Sequence, residues 1–153
     1  MARPTDRYVA QNRKARHDYL IEETLEAGLV LAGSEVKVLR QGGVSINEAY
    51  AAERAGELYL VNANIPEYAA ARVNHDPRRA RKLLLRKREV SRLLGAITRD
   101  GMTIVPLGLY FNERGIAKIA IGLAKGKRKS DKRAAEKERD WKREKARVLR
   151  ARG

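Results

Sequence analysis

The chain has 153 residues, of which 34 are Lys or Arg and 19 are Asp or Glu, a formal charge of +15 at neutral pH. That is one domain with room for a tail, and the absence of Cys excludes a disulfide scaffold, thiol catalysis and thiolate metal sites. No apolar run approaches the ~20 residues that cross a bilayer, so no membrane partner is expected, and the excess positive charge points to a polyanion, most often nucleic acid.

Residues 1–17 are polar and basic, with Asn12, Arg13, Lys14, Arg16 and His17 close together, and read as an arm leading into the fold. They hold no apolar segment of the secretory kind, so a cytoplasmic location is expected. From Tyr19 the pattern is that of a strand. Alternation puts Tyr19, Ile21, Glu23 and Leu25 on one face and Leu20, Glu22, Thr24 and Glu26 on the other. Ala27-Gly28 reads as a bulge, after which Leu29 to Leu31 continue the strand. Ser34 reads as the N-cap of a short helix over Glu35 to Arg40, ended by Gln41-Gly42-Gly43. Val44 to Ala52 and Glu57 to Val61 read as two strands around an Arg54-Ala55-Gly56 turn. Asn62 to Pro77, which contains His75, reads as a long loop.

Two assignments compete for the next stretch. A helix from Arg79 puts Leu83, Val90 and Leu94 on one face and leaves Leu84 and Leu85 off it. A short strand over Lys82 to Leu85 instead turns Leu83 and Leu85 inward and Leu84 outward. A helix then starts near Lys87, with Val90, Leu93, Leu94 and Ile97 on one stripe. The second is preferred, and in both Leu84 is the leucine hardest to bury. Asp100-Gly101 is a turn. Met102 to Phe111 is a strand whose Pro106 demands an edge or a bulge. Asn112 to Gly115 connects it to a clean alternation, with Ala117, Ile119, Ile121 and Leu123 inward and Ile116, Lys118, Ala120 and Gly122 outward. Short antiparallel strands with intervening helices predict a mostly β fold with flanking helices, an OB-fold-like antiparallel barrel over residues 18–124. A two-layer α+β sandwich is the alternative.

Residues 125–153 form a basic tail. They hold 14 basic and 5 acidic residues, more than half of the net charge in a fifth of the chain. The only apolar side chains there larger than Ala are Trp141, Val148 and Leu149, too few to offset the entropy of ordering. The tail is nevertheless rich in Ala, Glu, Lys and Arg, with paired charges such as Glu138 and Lys142. It is expected to be unstructured alone and helical on a suitable surface.

For catalysis the sequence offers little. His17 and His75 are not spaced as metal ligands, and Gly122 to Arg128 lacks the spacing and hydroxyl of a phosphate loop. No metal, cofactor or enzymatic activity is expected, with Glu26 the only faint catalytic candidate. For binding it offers more. Arg72 to Arg92 holds nine basic and two acidic residues, Arg81 and Lys82 among them, and with the Asn12 to Arg16 arm suits phosphates along a folded RNA. Six Tyr, one Phe and one Trp are too few for serial base stacking, which favours recognition of RNA shape. An outward Glu26 makes sense among phosphates if it accepts hydrogen bonds from a base edge or a 2′-OH.

The run Asn12 to Tyr19, Glu22 to Gly28, Gly33 to Lys37 and Leu39-Arg40 resembles the SmpB (SsrA-binding protein) family. His75-Asp-Pro77, Arg81 to Leu85, Thr103 to Leu107, Ala117-Lys118, Leu123 to Lys127, Asp131 to Arg133 and Arg139 to Trp141 match in the same order. The resemblance implies a non-enzymatic RNA-binding adaptor of trans-translation. Such proteins bind the tRNA-like domain of tmRNA (SsrA RNA) and deliver it to stalled ribosomes, standing in for an anticodon arm. Four family RNA-binding positions map to Asn12, Glu26, Leu84 and Lys118. The family tail becomes helical in the empty messenger channel near the small-subunit decoding centre, and its motifs map to Lys125, Lys127, Arg128 and Lys129, then to Asp131, Lys132 and Arg133, with Trp141 beyond. Many members carry a His before that Asp where this chain has Ser130, so no imidazole stands there. The implied partners are tmRNA, the ribosome and an elongation factor carrying charged tmRNA, with the protein a monomer in the complex. A general chaperone of structured RNA is the alternative.

Overall fold

A computed structural model describes residues 8–126. The elements, in chain order, are β1 (Tyr8–Gln11), α1 (Lys14–Asp18), β2 (Tyr19–Leu29), α2 (Gly33–Gln41), β3 (Tyr50–Arg54), β4 (Glu57–Val61), β5 (Arg81–Leu84), α3 (Lys87–Asp100), β6 (Thr103–Phe111) and β7 (Ala117–Gly126). All strand pairings are antiparallel, in the order β1-β6-β7-β2-β5-β4-β3. β5 makes the corner: Arg81 and Lys82 pair with β4, Leu83 and Leu84 with β2. The sheet curls until β3 comes back against β6, which gives the expected barrel rather than a flat sandwich.

Inward positions follow the alternation. Ile119 and Ile121 of β7 are fully buried with Ile104 and Leu109 of β6, Leu58 and Leu60 of β4, and Leu83 of β5. α3 closes the interior with Val90 and Leu93, and Leu94 and Ile97 pack at its margin. It ends at Gly101, whose φ of 63° lies in the left-handed region that favours glycine.

Several expectations need correction. From Tyr8 onward the arm is folded, as a strand paired with β6 and a short helix. The bulge in β2 lies at Glu22, where the register against β7 shifts between Ile21 and Glu23, while Gly28 pairs regularly with Lys118. That extra residue reverses the phase of the strand. Tyr19 and Ile21 therefore pack with Ala15, Val105 and Ala124 beneath α1, whereas Leu25, Ala27 and Leu29 join the main core. The strand expected over Val44 to Ala52 is confined to Tyr50 onward, and Ile46 and Ala49 reach the core from the preceding loop. Ser34 is not the cap of α2. The Ala32 N–H donates to the Glu35 carboxylate at 2.8 Å, and the Ser34 hydroxyl bonds His75 Nδ1 at 2.9 Å. Pro106 does sit at a bulge, with the register shifting between Pro106 and Gly108.

Candidate nucleic-acid interface

The outer face of β6, β7 and β2 has two halves. α1 covers one through the small cluster of Ala15, Val105 and Ala124. The other half is bare and is crossed by a row of residues opposed strand to strand. Tyr8 on β1 faces Tyr110 on β6, then come Lys118 on β7, Gly28 on β2 and Leu84 on β5. The next row runs from Gln11 through Gly108 and Ala120 to Glu26. Glu26, Lys118 and Leu84, scattered over 93 positions of sequence, thus share one surface.

Each side chain on this face has a definite setting. Leu84 is 51% exposed although apolar, and it leans over Gly28, where an added Cβ would stand 3.1 Å from the Leu84 Cβ. Lys118 is half-buried and has no carboxylate partner among the described residues. Glu26 is exposed, and its carboxylate accepts a hydrogen bond from the Tyr110 hydroxyl. Tyr110 itself is buried. Burial, and then the neighbouring Glu26 carboxylate, push its hydroxyl well above the ordinary tyrosine value, so it remains a protonated donor. Lys82 lies on the same side of β5 as Leu84, half-buried and opposite Tyr59.

α1 borders this face with cations. Arg13, Lys14, Arg16 and His17 are exposed, and His17 Nδ1 stands 3.0 Å from the Asp18 carboxylate. A groove of about 530 Å³ runs between helix and sheet, lined by Tyr8, Gln11, Arg13, Arg16, Thr24 and Ala120 among others. Asn12 also lines it, but the residue is buried and its amide is committed. Its Nδ2 donates to the Pro106 carbonyl at 3.0 Å, and its Oδ1 accepts from the Ala15 N–H at 3.2 Å. Asn12 fastens the start of α1 to the bulge in β6.

Arg81 corrects an expectation. It is fully buried rather than turned toward phosphates. Its Nε donates to Glu35 at 2.6 Å, its Nη1 to the Ala63 carbonyl at 2.8 Å and its Nη2 to the Pro77 carbonyl at 3.1 Å. Arg79 also binds Glu35. For Glu35, burial pushes the carboxyl up, but hydrogen bonds from Arg79, the Ala32 N–H and Arg81 outweigh it and hold the group below its ordinary value. This cluster braces the 62–80 loop, as does His75 through Ser34 and the Ile65 carbonyl. Lys125, near the end of β7, is exposed and 3.6 Å from Glu22. Lys127, Arg128, Lys129, Asp131, Lys132, Arg133 and Trp141 lie outside the described residues.

Sequence reasoning missed Tyr8 and Tyr110. The available signal was the small residues on outward strand positions, Gly108 and Ala120, since glycine inside a strand marks close approach of another group. A Cβ at residue 108 would collide with the Tyr8 ring. Among the described residues no cluster of His, Cys, Asp and Glu is placed to hold a metal, and no helix is long and apolar enough to cross a membrane.

The family described as SmpB protein matches residues 9–151. The chain is 60% identical over 153 residues to the SsrA-binding protein of Afipia carboxidovorans, across 99% of this chain and 97% of that protein. It is 59% identical over 146 residues to the SsrA-binding protein of Nitrobacter hamburgensis, across 95% and 93% of the two. A solved chain described by the words "tmRNA-SmpB: a journey to the center of the bacterial ribosome" superposes with a TM-score of 0.66 at 53% identity, over 82% of this chain and 92% of that one. With a match of this length and identity, carried on the same antiparallel barrel, the chain belongs to the SmpB protein family.

Proposed function

We propose that this protein is an RNA-binding adaptor of trans-translation. It binds the tRNA-like domain of tmRNA and takes it to ribosomes stalled on a message without a stop codon. The observation that carries this reading is the likeness, over nearly the whole length of both chains, to SsrA-binding proteins and to a chain solved in a tmRNA–SmpB context. The surface assigned to this task is the bare half of the sheet, which the geometry supports. The bare half of the sheet offers Lys118 to a phosphate, Leu84 as an apolar platform against a sugar or base, and Glu26 as an acceptor for a base N–H or a 2′-OH. Arg13, Lys14, Arg16 and His17 on α1 extend it along the backbone, with Asn12 holding that helix in place.

The barrel and the bound RNA together imitate a tRNA, the protein occupying the place of the anticodon arm. The basic tail from Lys125 onward enters the vacant messenger channel near the decoding centre and promotes transfer of the nascent chain to tmRNA. The protein performs no chemistry of its own, works in the cytoplasm, and acts as a monomer beside an elongation factor carrying charged tmRNA. Glu26→Ala is expected to weaken binding to the tRNA-like domain more than Leu149→Ala does. Titration of both variants checks this, and the reverse order contradicts the site.

A further inference from the structure

Glu26 and Lys118 stand on adjacent strands of the bare face. Lys118 is paired with Gly28, two positions along β2 from Glu26. Opposite charges at that diagonal spacing are within reach of each other. Yet among the described residues Lys118 has no carboxylate partner, and the Glu26 carboxylate is engaged by a tyrosine instead. That tyrosine is held firmly. Tyr110 is buried, and its ring packs at 58° against Tyr8, with centroids 5.7 Å apart. The Tyr8 ring in turn rests on Gly108, the one residue type that leaves room for it.

We propose that Tyr110 is a positioning residue for RNA binding, which claims the Glu26 carboxylate and so keeps Glu26 and Lys118 apart. Its hydroxyl fills one acceptor site of the carboxylate and fixes its direction. The remaining lone pairs face outward, to an N–H or O–H donor of the RNA. Lys118 is left with its charge unspent, to meet a phosphate. Without the hydroxyl, the carboxylate turns to the nearest cation, and two RNA contacts are lost to one internal ion pair. β1 thereby has a function: Tyr8 buttresses the ring that orders the site.

The inference rests on the reading that Glu26 contacts tmRNA, and the test separates the two. Binding of the tRNA-like domain of tmRNA is measured across a salt series for the full chain and for Tyr110→Phe, Glu26→Gln and the double variant. Tyr110→Phe keeps the ring and its packing. It is expected to weaken binding by about tenfold to a hundredfold, as for loss of one hydrogen bond to a charged group. It is also expected to flatten the dependence of log K on log salt by roughly one phosphate's share, about 0.7–0.9, because Lys118 no longer releases a counterion. In a Glu26→Gln background the same change should have no further effect. A simple packing role for Tyr110 predicts the opposite, an equal loss in both backgrounds with an unchanged slope, and that result overturns the proposal. The two backgrounds share any folding defect, so their ratio remains decisive if Tyr110→Phe lowers the melting temperature. Unchanged binding in Tyr110→Phe while Glu26→Gln binds weakly sinks this inference alone. Unchanged binding in Glu26→Gln sinks the Glu26 reading with it.

Discussion

Glu35 is the residue on which the body's electrostatics turn. It is fully buried between two guanidinium groups, and removing one partner of such a cluster strands a charge in a poorly solvating interior. Glu35→Gln is therefore expected to cost about 3–5 kcal/mol near neutral pH, as for other broken buried pairs. Because the Glu35 carboxyl is held below its ordinary value in the folded state, its contribution is complete above the ordinary carboxyl range. It is lost as pH falls through the depressed value. Urea unfolding of both proteins at several pH values should show the gap closing in acid, and a small, pH-independent gap would contradict the assignment. Residue identity alone did not reveal this. Arg78, Arg79, Arg81 and Lys82 look alike in sequence, and Arg79 shares the Glu35 carboxylate; what sets Arg81 apart is full burial and the Ala63 and Pro77 carbonyls that its other nitrogens reach. Lys118 and Leu84 were legible as outward because strand alternation is a local property. That they meet across Gly28 was not, since register between distant strands is set by the whole barrel.

At the scale of elements, β7 ties the body to the tail. It continues to Gly126, pairing Ala124, Lys125 and Gly126 with Ile21, Leu20 and Tyr19. A boundary at residue 124 would cut into it, so a truncation meant to remove only the tail belongs after Gly126. That truncation is expected to leave affinity for the tRNA-like domain nearly intact at physiological salt, where a Debye length of about 8 Å screens the tail's charges, while abolishing tagging of stalled nascent chains in a translation extract. Equal loss of both activities would contradict a division of labour between barrel and tail. The β6–β7 hairpin was readable because Asn112 does what its type does in turns: its Oδ1 accepts from the N–H groups of Arg114 and Ile116. The bulge in β2 was not. Glycine at position 28 drew attention there, whereas the extra residue is Glu22, which carries no turn chemistry and is placed by the need to seat Tyr19 and Ile21 under α1.

For the molecule as a whole, charge and shape divide the task of recognition. A net +15 draws the protein to any RNA, and that attraction carries no specificity and fades with salt. The proposed source of specificity is the bare sheet face, where one carboxylate, one leucine and one lysine meet within three strands and α1 supplies cations at the border. Composition made the partner class legible, and ordered motifs made the family legible. The face became visible only in the fold, because the strands that build it come from both ends of the barrel's sequence. The most direct test of this account is competition between the tRNA-like domain of tmRNA and an elongator tRNA for the full-length protein across a salt series. Both RNAs are expected to bind at low salt, and a strong preference for the tRNA-like domain should persist at physiological salt. Equal affinities that decline together as salt rises would contradict it.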